Sequence, residues 1–97
     1  MAVAFLIPGP LRSFAAGSSR VAIDPAPGTL AAALEALWQR CPGMRDRMVT
    51  EQAQIREHIN VFVGSEDIRY TGGLQTPLRD GAEITILPSI TGGVHAP

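Results

Sequence analysis

The chain has 97 residues, enough for one small domain, and 45% of them are hydrophobic, an ordinary share for a globular protein. Eight arginines against nine acidic residues give a net charge of −1, and the arginines form no cluster along the sequence, which excludes a protein that binds nucleic-acid phosphates. The longest apolar run, residues 2–7, is far shorter than the roughly 20 residues that span a bilayer, and no basic residue precedes it as in a signal peptide, so we expect a cytoplasmic protein without a membrane partner.

The first half of the chain predicts a β-hairpin followed by a helix. Alternating apolar residues favour strands at Val3–Ile7 and Arg20–Asp24, and the loop between them allows antiparallel pairing. Thr29 stands where a helix N-cap is expected, and apolar residues then recur at helical spacing until Pro42-Gly43 ends the helix. We expect this apolar stripe, Trp38 included, to lie in the core. It consists of Leu30, Ala33, Leu34, Leu37, Trp38 and Cys41.

The second half predicts three further strands. Alternation is clear at Ile59–Val63 and Glu83–Leu87, and Ile68–Tyr70 can pair back as a short strand after a turn. Met44 and Met48 are four residues apart, which allows a short helical turn before a polar loop. Residues 89–97 show no periodicity, and we expect them to form an extended, mobile tail.

This order of elements, β-β-α-β-β-β, favours an α+β domain with the β-grasp, or ubiquitin-like, architecture. We expect one mixed sheet with one main helix packed on one face. A single helix covers only one face of a sheet, so the other face must meet water or a partner. The predicted domain spans residues 1–91, and residues 92–97 form its tail.

The helix-free face of the sheet carries the candidate partner-binding residues. If Val61 and Val63 point to the helix, Phe62 points away from it, and the same alternation places Leu87 on that outer face. Leu11 in the first loop is expected at the edge of this patch. Exposed apolar patches on small domains often mark a docking surface, which we favour over scattered surface apolar residues.

The sequence offers no catalytic set, no metal site and no bound cofactor. Cys41 falls at the C-terminal end of the main helix, where the helix dipole disfavours a thiolate, so a packed cysteine is favoured over a persulfide carrier. With one cysteine the chain forms no internal disulfide. The two histidines, His58 and His95, belong to no cluster with metal-ligand spacing.

Four segments of the second half form a specific combination when they are taken together. They are Ile59-Asn60-Val61-Phe62-Val63, Glu66-Asp67-Ile68-Arg69, Gly73-Leu74-Gln75-Thr76-Pro77-Leu78, and Asp80–Pro88 followed by Ile90-Thr91-Gly92-Gly93. This combination resembles the ThiS/MoaD family of ubiquitin-like sulfur carriers, and most of all its CysO-type members, which serve cysteine biosynthesis. A Gly-Gly pair alone would carry no weight, since the internal Gly72-Gly73 is most simply a turn.

The resemblance implies a carrier that supplies no catalytic side chain and is not itself an enzyme. In the family, an E1-like adenylyltransferase consumes ATP to adenylate the carboxylate of the last glycine, here Gly93, which then becomes a thiocarboxylate. The Gly92-Gly93 pair suits a narrow enzyme channel because glycine has no Cβ. The resemblance to CysO-type members further implies that a PLP-dependent cysteine synthase receives the sulfur.

One departure from the family pattern is that Val94-His95-Ala96-Pro97 follow Gly93. Extended family members imply a precursor that a JAMM-type zinc peptidase cuts between Gly93 and Val94. Other roles stay open: the molybdopterin and thiamine pathways use the same tail chemistry, another enzyme can be the sulfur acceptor, and a ubiquitin-like binding module would dock without activation. Conjugation to other proteins would use the same activated terminus. The chain has no lysine and so cannot be its own acceptor through a side-chain amine.

Overall fold

A computed structural model of the protein describes residues 2–88. Within that range the strands and α-helices are β1 (Val3–Leu6), β2 (Arg20–Ile23), α1 (Leu30–Arg40), α2 (Pro42–Met48), β3 (Ile59–Val63), β4 (Glu66–Asp67) and β5 (Glu83–Pro88). Short 3-10 segments cover Gly9–Ala15, Ile68–Tyr70 and Gly73–Gln75. The predicted boundary between residues 91 and 92 and the predicted tail lie outside the described residues.

Two hairpins and the strand between them make one mixed sheet. The strand order is β2-β1-β5-β3-β4, with β1 antiparallel to β2 and β3 antiparallel to β4. Strand β5 joins the hairpins, because it pairs parallel with β1 and antiparallel with β3. The predicted β-grasp architecture, with one main helix on one face, is confirmed.

The core lies between α1 and the sheet. Thr29 caps α1, since its Oγ1 accepts a hydrogen bond from the Ala32 N–H at 3.3 Å. The predicted stripe is buried except at its end, where Trp38 and Cys41 are only partly buried and pack against the core edge. Fully buried side chains from both layers meet here, and the burial of each one stabilises the folded state by about 1.5–3 kcal/mol relative to leaving it exposed. They include Phe5, Leu30, Leu34, Leu37, Ile84 and Ile86.

The predicted strand at Ile68–Tyr70 is wrong. The strand that pairs with β3 is the two-residue β4, and a 3-10 turn follows it. The cause is a side-chain hydrogen bond: the Asp67 carboxylate accepts from the Arg69 N–H at 2.9 Å, which turns the chain out of the sheet. That turn places Ile68 in the core, 5% exposed, and leaves Tyr70 86% exposed.

The helical turn allowed at Met44–Met48 forms part of a complete second helix, α2. Pro42 ends α1 and also occupies the first turn of α2, where its missing N–H costs no hydrogen bond. Met44 and Met48 both point into the core and are fully buried. The helical layer is therefore larger than the sequence predicted, and it extends over the 3-10 segment that follows β1.

The segment between β4 and β5 holds the N-terminus of α1. The Leu30 N–H donates to the Thr76 carbonyl at 2.9 Å, and the Leu78 N–H donates to the Gly28 carbonyl at 3.0 Å. Thr76 is 3% exposed, and its hydroxyl donates to the Gly73 carbonyl at 2.6 Å. The turn predicted at Gly72-Gly73 is confirmed, with φ angles of 118° and 60° that favour glycine.

Replacing Thr76 with valine should lower the free energy of unfolding by about 1–3 kcal/mol, because the hydrogen bonds of the buried hydroxyl with the Gly73 carbonyl and with the Thr71 hydroxyl are lost. Thr76→Ser is the matched control: it keeps the hydroxyl, loses one methyl group and should cost about 1 kcal/mol or less. Urea unfolding followed by circular dichroism measures both. A valine variant at least as stable as the serine variant would show that the hydroxyl does not hold this turn.

Candidate functional site

The pairing of β3 with β5 brings the predicted docking residues onto one face of the sheet. Phe62 is opposite Thr85, and Leu87 is opposite Asn60, so these four side chains point away from α1. Phe62 and Leu87 are diagonal neighbours across the two strands, a position in which Cα atoms stand about 7–8 Å apart and large side chains touch. The strand faces predicted for Phe62 and Leu87 are those of the structure.

A third apolar residue, Leu6, lies on the same face and was missed by the sequence prediction. It is the register partner of Thr85 in the parallel ladder between β1 and β5, and it is partly exposed. The signal was present, because alternation that sends Phe5 and Ile7 into the core sends Leu6 outward. We call Leu6, Phe62 and Leu87 the outer-face patch. Leu87 is 44% exposed.

Leu11 does not belong to this patch, which corrects the sequence prediction. Residues 9–15 form a 3-10 segment in place of an open loop, and Leu11 and Ala15 are its buried residues. Leu11 is 7% exposed. Its hydrophobic side chain contributes to folding and has no free surface to offer a partner.

The two leucines should therefore respond differently to truncation. Leu11→Ala should lower the free energy of unfolding by about 2–4 kcal/mol, because it leaves a cavity in the core. Leu87→Ala removes a side chain that is 44% exposed and should cost about 1 kcal/mol or less. Chemical unfolding of both variants measures the difference. Equal costs would contradict the assignment of Leu11 to the core and Leu87 to the surface.

Polar side chains border the outer-face patch on both sides. Arg20 Nη1 and Glu83 Oε2 form an ion pair at 2.9 Å on the β2 side. On the β4 side, Arg69 donates to the Asn60 side-chain oxygen and lies 3.4 Å from the Asp67 carboxylate. The Arg20 and Glu83 side chains are 56% and 51% exposed, so their pair contributes little to stability, whereas the Asp67 carboxylate is only 19% exposed. Their effect is to confine the apolar surface to strands β1, β5 and β3.

The residues predicted to be activated and processed follow this patch closely in the sequence. Gly92, Gly93 and Val94 are outside the described residues, so the structure gives no geometry for the predicted activation and processing sites. The covalent chain still limits their position: Gly93 follows Leu87 by six positions, which span at most about 20 Å when the chain is extended. The outer-face patch is thus within reach of any enzyme that acts on Gly93.

Among residues 2–88, no group of three or more His, Cys, Asp and Glu side chains could hold a metal ion. No helix in the same part of the chain is long and apolar enough to cross a membrane. Cys41, the one cysteine, is partly buried against the core edge and unpaired.

Comparison with known proteins decides the family. The model of the ThiS family matches residues 5–93, which is nearly the whole chain and reaches as far as the second glycine of the Gly-Gly pair. The chain belongs to the ThiS family. Its resemblance to sulfur carriers of this family is thereby confirmed.

One similar protein is named as a sulfur carrier. The sulfur carrier protein CysO of Mycobacterium tuberculosis is 33% identical over 95 residues, covering 96% of this chain and 100% of the relative. The crystal structure of that CysO superimposes with a TM-score of 0.80 at 30% identity, over 91% of this chain and 99% of the other. The relatives are carriers and not enzymes, and so is this ThiS-family chain.

A second similar structure is the BexX/CysO complex of Amycolatopsis orientalis. The matching chain superimposes with a TM-score of 0.82 at 32% identity, over 92% of this chain and 97% of the other. In that organism CysO is therefore seen bound to a protein partner.

Proposed function

We propose that the chain is the precursor of a sulfur carrier whose active terminus is Gly93. The observation that carries the proposal is the position of the Gly92-Gly93 pair: it ends the span that matches the ThiS family and follows the last described strand by a few residues. Membership in the family and the likeness to CysO support it. The carrier contributes its terminus and its surface, and the partner enzymes contribute the catalytic groups.

The proposed chemistry starts with removal of Val94–Pro97. While Val94 follows Gly93, the Gly93 carbonyl is part of an amide and cannot attack ATP as a carboxylate does. A JAMM-type zinc peptidase would hydrolyse this bond and release a carboxylate at Gly93. A carboxylate oxygen would then attack the α-phosphorus of ATP in an E1-like adenylyltransferase, with pyrophosphate as the leaving group. A sulfur nucleophile would displace AMP and form the thiocarboxylate. The ATP belongs to this partner, and the carrier holds no cofactor of its own.

The outer-face patch is the proposed docking surface for the activating enzyme. Leu87 directly precedes Pro88, so the patch lies next to the start of the segment that the enzyme must bind. Apolar side chains at the centre of an interface and polar groups at its rim are the usual arrangement, and the ion pairs beside the patch supply the rim. The protein partner bound to CysO of Amycolatopsis orientalis supports a docking role for this fold.

The likeness to CysO favours cysteine biosynthesis as the destination of the sulfur, with a PLP-dependent cysteine synthase as acceptor. A thiamine or molybdopterin pathway would use the same terminus with a different acceptor enzyme. Incubating the thiocarboxylate form with each acceptor and its substrate separates these possibilities, because only one pair should consume the thiocarboxylate.

The central experiment compares residues 1–97 with residues 1–93. Each is incubated with the E1-like enzyme of the host, ATP and a sulfide source, and intact masses are measured. We expect the thiocarboxylate on the 1–93 form alone, because only that form has a carboxylate on a residue without a side chain. Both forms should unfold at the same temperature, since every described element ends by Pro88.

Two results would contradict the precursor proposal. One is direct activation of the 1–97 form at Pro97. The other is an unmodified 1–93 form when the same enzyme preparation loads a carrier known to be its substrate. The full-length chain with the JAMM-type peptidase added is the positive control, and it should behave as the 1–93 form does.

A substitution in the outer-face patch tests the docking surface. Phe62→Asp in the 1–93 form should lower kcat/KM for adenylation at least about tenfold, because docking would bury an unpaired carboxylate. Gln75→Glu is the matched control: it also adds one negative charge, on an exposed residue of the 3-10 segment that precedes β5. Circular dichroism should show both variants folded, since Phe62 faces away from α1. An unfolded Phe62→Asp variant would contradict the strand face, and unchanged kinetics would contradict the docking surface.

A further inference from the structure

A cavity opens at the edge of the sheet where β3 extends past β4. Within residues 2–88, β4 pairs only with Phe62 and Val63, because the Asp67 carboxylate then accepts from the Arg69 N–H and the chain turns out of the sheet. The first three residues of β3 therefore have no neighbouring strand on that side in the described part of the chain. The cavity beside them has a volume of about 390 Å³.

Side chains of the hydrophobic core form the floor of this cavity, which we call the edge pocket. The floor consists of Ile55, Ile59, Val61 and Ile68. Ile55 is half-buried, and the other three are no more than 5% exposed. Protein interiors rarely leave voids larger than a water molecule, so an open cavity of this size against the core is typical of a binding site.

Charged side chains line the rim of the edge pocket, and their charges cancel. The rim consists of Arg56, Glu57 and Arg69, and Arg69 lies 3.4 Å from the Asp67 carboxylate. Two cations and two anions thus border the pocket, so its charge selects neither an acidic nor a basic partner. An apolar floor inside a neutral rim favours an apolar occupant, which gains free energy by leaving water.

The edge pocket borders both the outer-face patch and the start of the C-terminal segment. Arg69 belongs to its rim and donates to the Asn60 side chain on the outer face, where Asn60 is opposite Leu87. Ile59 of the floor is the register partner of Pro88, the last described residue. A protein that covers the outer-face patch and binds the segment after Pro88 therefore lies within reach of the pocket.

We propose that the edge pocket receives one large apolar side chain, aromatic or aliphatic, from the enzyme that activates Gly93. The inference rests on the proposed function, since it presupposes that enzyme. Continuity with the outer-face patch assigns the occupant to the same interface, and the neutral rim with its apolar floor assigns its chemistry. Side chains that fill a preformed pocket and lose contact with water contribute most of the affinity at many interfaces. A second point of attachment also fixes the direction in which the C-terminal segment enters the enzyme.

Filling the edge pocket tests this inference. Ile55→Phe in the 1–93 form places a larger side chain on the pocket floor, at a residue whose backbone forms a β-bridge with Val49. Val21→Phe is the matched control: Val21 is also a half-buried apolar residue packed against the core, but it lies on β2 at the other edge of the sheet. Labelled pyrophosphate exchange with the E1-like enzyme of the host measures adenylation, and urea unfolding measures stability.

We expect Ile55→Phe to raise KM for the carrier at least about tenfold, because its ring occupies the space of the enzyme side chain. The kcat and the KM for ATP should not change. The variant should be at least as stable as the unmodified 1–93 form, since a filled cavity gains packing contacts, and this separates lost docking from lost folding. Val21→Phe should keep the KM of the unmodified form.

A second measurement uses the unmodified 1–93 form and so does not depend on how a variant folds. With isoleucine methyl groups labelled for NMR, addition of the enzyme should shift the signals of Ile55 and Ile68. The signal of Ile23, a buried residue of β2, should stay in place.

Several outcomes would overturn the inference. Unmoved Ile55 and Ile68 signals with an enzyme that adenylates the carrier would show that the pocket stays empty in the complex, as would an unchanged KM for a folded Ile55→Phe variant. Shifts caused by ATP without the enzyme would assign the pocket to a small molecule, and shifts that grow with carrier concentration alone would assign it to a second copy of the chain. If the unmodified 1–93 form is not adenylated by an enzyme active on its own substrate, the proposed function fails and this inference fails with it.

Discussion

The double pairing of β5 is the constraint on which the rest of the structure depends. This strand enters the sheet last in sequence yet lies at its centre, parallel to β1 and antiparallel to β3. Its alternation buries Ile84 and Ile86 completely under α1 and turns Thr85 and Leu87 outward. A slip of one residue would exchange these two sets, so the hydrophobic core fixes which residues form the outer face. The register of β5 therefore determines both which residues form the core and which form the candidate docking surface.

Much of this arrangement could be predicted from the sequence, because strand alternation and helix periodicity are local signals. Thr29 and Pro42 mark the limits of α1, and the alternation around Val61 and Ile84 assigns faces to β3 and β5. Leu6 could have been placed in the same way. The role proposed for Gly92 and Gly93 came from the resemblance to the family, because strand and helix periodicity carries no information about it.

The errors arose where a side chain competes with the backbone or where a short segment folds against distant residues. Ile68 lies in an alternating stretch, but the Asp67 side chain bonds the Arg69 N–H and ends the strand first. Leu11 was expected at the surface in the first loop, whereas that segment folds into a 3-10 turn that contacts α2.

The parallel pairing of β1 with β5 also has a mechanical consequence. A pull on the C-terminal segment acts along β5, and its hydrogen bonds to β1 and β3 run across that direction. Such a load shears the ladders, so the bonds must yield together, whereas a pull perpendicular to the strands would open them one at a time. The last strand therefore anchors the segment that an enzyme would draw into its channel. A force along the C-terminal segment is therefore resisted by both hydrogen-bond ladders of β5 at the same time.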